Sequence, residues 1–222
     1  MINHKRPSIL KRGVNVIHSN GLRGFIRRFF LYIISPVFSI TTYILYEIHI
    51  KRSIREIEVK INNCRLEIVS DQEQVDRLVE EGIDFSSDPD FINYGFGFNS
   101  GAFLCLVFIG QSLAHTSWFS RSHDGSVFDT LFSRINFGDA GYIGPCKTIS
   151  NFRGLGIYPY ALTSILKFLS EQYVYRALIS TSNRNMASIR GIEKAGFNPF
   201  NVIKKYKLLI WNYFGRRVDI AR

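Results

Sequence analysis

The chain has 222 residues, 46% of them hydrophobic, with 28 Lys and Arg against 18 Asp and Glu. That length supports a sizeable core, and that apolar content excludes a disordered chain. No stretch of about 20 apolar residues runs unbroken, which excludes a polytopic membrane protein. The charge is unevenly placed. Residues 1–60 carry 11 basic and 3 acidic groups, net +8, whereas residues 61–222 carry 17 and 15, net +2. The basic surplus therefore sits in the N-terminal quarter, with no nucleic-acid-binding motif beside it, so nucleic acid is not an expected partner. The shift in texture near residue 60 divides the chain into an N-terminal segment, 1–60, and a body, 61–222.

Residues 1–18 read as a basic tail. After Ser19 and Asn20, Leu22, Phe25, Ile26, Phe29, Phe30 and Ile33 recur at helical spacing, with Arg23, Arg27 and Arg28 on the other side. A basic amphipathic helix can lie on an anionic membrane surface, or its apolar stripe can dock on the protein's own core; the pattern allows both. Phe29 to Tyr46 is free of charge but holds Pro36 and the four serines and threonines Ser35, Ser39, Thr41 and Thr42, which is short and polar for a membrane span. Thr41–Tyr46 is β-branched and aromatic and predicts a strand.

In the body, Arg65–Val69 alternates as a strand does. Ser70 or Asp71 caps a predicted helix Gln72–Glu81, with Glu73 at capping-box range from Ser70, and Gly82 ends it. Residues 83–100 read as a loop whose aromatic residues, Phe85, Phe91, Tyr94, Phe96 and Phe98, are expected over an acceptor site. Ala102–Ile109 is continuously apolar, a strand buried on both faces, and joins Leu113–Ser120 through a hairpin. Residues 121–139 are a polar excursion. Tyr142–Ile149 is a strand, Tyr158–Glu171 a helix, Ala177–Thr181 a strand and Met186–Lys194 a helix stopped by Gly196. Val202–Trp211 and Tyr213–Val218 close the chain as strands. The class is α/β, with a mixed sheet of α+β character. Cys64, Cys105 and Cys146 form no CxxC pair, which predicts buried free thiols in a reducing compartment and no metal site.

Two stretches carry chemistry. In Asn151-Phe152-Arg153-Gly154-Leu155-Gly156-Ile157-Tyr158, two glycines stand where a strand gives way to a helix. They let the backbone approach a ligand, and the first-turn N–H groups of the helix favour a phosphate. Taken alone, they also suit a tight turn. The stretch lacks the Gly-Lys-Ser/Thr of a Walker A loop and the third glycine of a dinucleotide loop. About thirty residues on comes Asn185-Met186-Ala187-Ser188, running to Ala195-Gly196-Phe197.

Together these stretches resemble the GNAT superfamily, the GCN5-related N-acetyltransferases, over about residues 62–215. The first is similar to the Q/R-x-x-G-x-G/A acyl-CoA loop and the second to the N-x-x-A/S…G-F helix. The resemblance implies a GNAT-like acyltransferase fold and acetyl-CoA as co-substrate, without a metal. It implies that backbone N–H groups of Arg153, Gly154, Leu155, Gly156, Ile157 and Tyr158 hold the pyrophosphate. Cys146, Lys147 and Thr148 would pair with the pantetheine arm, and Asn185 and Ser188 would line it. Two positions depart from the pattern. Asn151 replaces the usual Gln or Arg, and Ile192 stands where many members have a tyrosine acid. His115 is then a candidate base or acceptor-binding group, and Tyr142 a candidate proton donor, each with a packed structural role as the alternative. Trp118, opposite His115 on its strand, is expected in the core. The further resemblance to bacterial members tied to surface polysaccharides implies an amine acceptor of the amino-sugar class. The free thiols and a cytosolic co-substrate point to a cytoplasmic location, and the basic helix allows peripheral contact with the inner face of the membrane.

Overall fold

The computed structural model describes residues 38–50, 54, 57, 59, 61–85, 96–121, 138–208, 211–214 and 218–219. The expected amphipathic helix at 20–33 lies outside them, as do Phe91, Tyr94, His123 and Asp124. Among the described residues, no helix is long and apolar enough to cross a membrane.

In chain order the elements are β1 (Phe38–His49), β2 (Cys64–Val69), α1 (Gln72–Glu80), α2 (Phe96–Asn99), β3 (Phe103–Ile109) and β4 (Ser112–Ser120). They continue with β5 (Gly141–Thr148), α3 (Ile157–Glu171), β6 (Arg176–Ser182), α4 (Met186–Lys194), β7 (Asn198–Leu208), β8 (Trp211–Phe214) and β9 (Val218–Asp219). The chain forms two compact units, one of residues 42–203 with 216–222 and the other of residues 1–41 with 204–215.

In the larger unit the strands lie in the order β2-β3-β4-β5-β6-β1. All neighbours run antiparallel except β5 and β6, which are parallel and joined by α3. A parallel pair needs such a crossover, because no short turn can return the chain to the same end of the sheet. β3 is buried along its middle, as its unbroken apolar run requires. Each sheet face covers its own core. On one face α3 and α4 pack Leu162, Ile165, Leu166, Leu169 and Ile192 against Cys105, Val107, Phe119 and Ile143. On the other, α1 packs Val75 and Leu78 against Leu104, Leu106, Phe108 and Trp118. Each fully buried aliphatic side chain contributes about 1.5–3 kcal/mol relative to exposure. In the smaller unit, Lys205–Leu208 of β7 forms an antiparallel hairpin with β8.

Several expectations are corrected. The capping arrangement at α1 is shifted by one residue: Asp71 accepts from Gln74 N at 2.9 Å, and the Gln74 side chain, not Glu73, reaches back to Ser70 N at 2.9 Å. Within the loop expected at 83–100, Phe96–Asn99 forms a short helix. Its described rings fill the core rather than cover a site. Phe85 packs edge-on against Phe108 at 6.1 Å, and Phe98 lies 4.9 Å from Trp118. Burial of an aromatic ring outweighs the polar composition around it. The strand expected at Val202–Trp211 begins at Asn198 and ends at Leu208, and the chain folds back as β8 from Trp211.

Candidate functional site

The site begins where two parallel strands part. β5 and β6 pair only over Gly141–Ile143 and Ala177–Ile179, although β5 runs on to Thr148 and β6 to Ser182. Gly144, with φ of 142°, stands at the point of departure, followed by Pro145, which has no N–H to offer a neighbour. On its other edge β5 stays paired with β4 as far as Thr148. Among the described strands, none pairs with β5 beyond Ile143 on the side of the gap, a place where an extended ligand can add itself to the sheet.

The chain then makes a 3-10 turn at Ser150–Phe152 and enters α3 through Gly154 and Gly156, both left-handed with φ of 82° and 81°. A residue with a Cβ pays about 1–2 kcal/mol for that conformation. A Cβ on either glycine would meet nothing within 4 Å, so the demand is conformational and the space around the turn is open. Arg153 Nε donates to the Thr148 carbonyl at 3.0 Å and fastens the turn to the end of β5. The first-turn N–H groups of α3 have no acceptor within their helix, and no acidic side chain occupies that turn. The helix dipole favours an anion there.

α4 supplies the facing wall. Asn185 caps it, its Oδ1 accepting from Ser188 N at 3.2 Å, so part of this side chain is committed to starting the helix. A cleft of about 540 Å³ brings together Cys146, Lys147, Thr148, Arg153, Gly154, Gly156, Ile157, Tyr158, Asn185 and Ser188, with His115 at its floor. Leu155 is not in the lining; its side chain is exposed. Tyr142 is not in the lining either, and its hydroxyl lies 3.2 Å from Ser180 Oγ.

The polar groups in the wall are tied to one another. His115 is fully buried, with Nδ1 2.7 Å from Thr148 Oγ1 and Nε2 2.6 Å from Ser117 Oγ. Both ring nitrogens are occupied, so in the neutral ring one hydroxyl donates and the other accepts. Burial lowers its pKa to about 3. A free imidazole reaching for a substrate proton is not what this geometry presents; His115 instead pins β5 to β4. Cys146 has its thiol pushed up to about 11 by burial, against opposing hydrogen bonds from Ser117 and Tyr158. It is a poor nucleophile in this state. Tyr158 is held well above the ordinary phenol range, first by burial and then by the neighbouring Cys146. Its hydroxyl is 3.4 Å from Ser188 Oγ, and its ring centre 5.6 Å from that of His115.

The sequence placed Tyr158 here for its backbone; its side chain is the unforeseen part. The ring rests against Gly191, where an added Cβ would fall 2.9 Å from Cε1. Gly191 was the available signal, a glycine inside a helix being unfavourable unless something approaches closely. Arg190 and Lys194 also line the cleft. Lys194 is one turn from both Arg190, at i, i+4, and Gly191, at i, i+3, on α4. Ile192 is fully buried in the core. Among the described residues, no group of three or more His, Cys, Asp or Glu could hold a metal ion.

No protein-family profile matches the sequence, and no curated protein matches it. Solved structures match by shape. An acetyltransferase of the GNAT family from Colwellia psychrerythraea superposes with a TM-score of 0.51 at 17% identity, over 77% of this chain and 57% of that one. A GCN5-related N-acetyltransferase from Sphaerobacter thermophilus gives 0.52 at 12% identity, over 86% and 57%. A tandem GNAT protein of the clavulanic acid biosynthesis pathway gives 0.51 at 12% identity, over 82% and 58%. The chain thus spans under three-fifths of the length of each of these structures. It has the fold of the GCN5-related N-acetyltransferases, as its two motifs implied.

Proposed function

We propose that the protein is an acyl-CoA-dependent N-acyltransferase, moving an acetyl group from acetyl-CoA to a primary amine. One observation carries the reading: β5, with which no described strand pairs on the β6 side beyond Ile143, runs directly into the Gly154–Gly156 turn and the first turn of α3. Such a path suits a ligand that is amide-bearing and extended at one end and diphosphate at the other, which is the shape of acyl-pantetheine and its nucleotide. The amide groups would add to the sheet edge, and the diphosphate would meet the N–H groups at the helix start.

In the reaction a neutral amine attacks the thioester carbonyl carbon. A C–N bond forms, the C–S bond breaks, the amine nitrogen gives its proton to solvent and the thiolate leaves. A thiol of cysteine-like pKa, near ~8.5, is a good leaving group and needs little acid assistance. Among the described residues lining the cleft, no carboxylate is present and the imidazole is engaged on both sides. That favours an acceptor amine of pKa near ~8, which is partly neutral at physiological pH, over a lysine-like amine near ~10.4. The amino group of a sugar is the acceptor class we favour.

The test is thermal stability with and without acetyl-CoA, beside the Gly154→Val variant. A ligand at 100 times its Kd adds about 2.7 kcal/mol to the native state. We expect a clear rise in melting temperature in the wild type and none in the variant, followed by CoA release on an amino-sugar panel. No rise in folded wild type would sink the reading. Binding without turnover on any amine would favour a binding module of the same fold, for which the buried Ile192 and the engaged Tyr142 hydroxyl speak.

A further inference from the structure

The fork between β5 and β6 has a floor. The last residues to pair are Ile143 and Ile179, both buried in the core that α3 covers. Successive side chains of a strand point to opposite faces, so Tyr142, one residue before that pair, and Ser180, one residue after it, stand on the other face of the sheet. The Tyr142 hydroxyl lies 3.2 Å from Ser180 Oγ. The ring therefore leans from the paired part of β5 toward the opening and is clasped across it. It is packed there, with only 8% of the residue exposed. Gly144 lies beside it at the point of parting. A Cβ added to Gly144 would sit 3.6 Å from both Cε1 and Oη of Tyr142, which is ordinary contact distance. A methyl-sized group thus fits against the ring at this place. Neither Tyr142 nor Ser180 lines the cleft, which reaches down β5 only as far as Cys146.

The length of the donor shows what meets this floor. Between diphosphate and sulfur, acyl-pantetheine has about twelve chain atoms, the reach of about four residues of extended backbone, or about 13 Å. Laid along β5 from Thr148, where the strand ends, such an arm brings its sulfur to the level of Gly144. The acyl group then points into the fork. Straight ahead, the Ile143–Ile179 pair closes the sheet, and on the α3 face the core is filled. On the remaining face stands the Tyr142 ring. We propose that Tyr142, held across the fork by Ser180, is the wall at which the acyl chain ends, and that it restricts the donor to short-chain acyl-CoA thioesters. An acetyl methyl group meets the ring at contact distance, whereas a six-carbon chain must displace the ring or turn back. This rests on the acyl-CoA reading and adds to it a specificity-determining residue outside the cleft.

The experiment is calorimetric titration of the full chain with acetyl-CoA and with hexanoyl-CoA. Wild type is expected to bind acetyl-CoA about tenfold more tightly, the low end of what overpacking a filled site costs. Tyr142→Ala should bring the two affinities to within about twofold, by tightening hexanoyl-CoA. Tyr142→Leu keeps an apolar group in the packing, in case the alanine variant fails to fold, and should reduce the preference to about threefold. Ser180→Ala, which releases the ring without shortening it, should do the same. Equal affinity of wild type for the two thioesters would overturn the proposal and leave the acyl-CoA reading standing. So would Tyr142 variants that keep the tenfold preference or weaken both ligands alike, since these mark a residue that only supports the fold. Binding of neither thioester would overturn the acyl-CoA reading and this proposal with it.

Discussion

His115 looks like a catalytic residue in the sequence and like a fastener in the structure. The same property, an imidazole that can donate at one nitrogen and accept at the other, serves both. What separates the roles is burial: with Thr148 and Ser117 at its two nitrogens, the ring is held neutral with a pKa of about 3. An unfolded chain takes up a proton near 6.5, and the native protein does not. Stability from this residue is therefore complete above pH 6.5 and is lost as pH falls from 6.5 toward 3, by up to about 1.4 kcal/mol per pH unit. His115→Gln is expected to cost stability at pH 7, and the gap between wild type and variant should narrow steadily as pH is lowered to 4.5. Urea midpoints at several pH values measure this. A gap that stays constant would mean that the ring takes up a proton in the folded state.

At the level of elements, the contact between α3 and α4 decides where the cleft can form. Propensity predicts that Gly191→Ala stabilises α4 by about 1 kcal/mol. The packing predicts the opposite, because the new Cβ would strike the ring of Tyr158. That ring is confined between Gly191, Ser188 and His115, and overpacking of such a site costs about 1–3 kcal/mol. We expect Gly191→Ala to lower stability in the wild type and to raise it in a Tyr158→Ala background. Equilibrium unfolding of the four proteins gives the coupling directly. Equal effects in both backgrounds would show that the ring moves aside freely. The same contact explains why Tyr158 presents its hydroxyl to Ser188 while Ile192, the position at which family resemblance looks for a hydroxyl, is packed into the core.

At the scale of the molecule, the elements that build the cleft all belong to the unit of residues 42–203 with 216–222. A ligand there should slow amide exchange in β5, α3 and α4, whose backbone it meets or braces. The hairpin of Lys205–Leu208 with β8 belongs to the other unit and contributes nothing to the lining. We expect acetyl-CoA at saturation to increase protection in the first set of amides and leave the hairpin unchanged, measured by hydrogen exchange with mass spectrometry. Protection gained uniformly over both units would mean that the chain opens only as a whole.

The sequence by itself determined the periodic and conformational features. The apolar run of β3, the helical stripe of α3 and the hairpin before β4 follow from side-chain spacing. Gly154 and Gly156 follow from the need for left-handed backbone where a strand turns into a helix. These are local requirements, so they are written locally. What only the tertiary structure decided depends on partners distant in the chain. The sequence offered His115, Cys146 and Tyr158 as separate candidates. Their roles depend on Ser117, Thr148 and Ser188, which strand register and helix packing bring to them. Tyr142 lost its freedom to Ser180 through the pairing of β5 with β6, thirty-eight residues apart. The length of that pairing, three residue pairs and then a parting, is what opens the cleft. No local pattern encodes it, because it is set by where two strands on either side of a fifteen-residue helix come into contact.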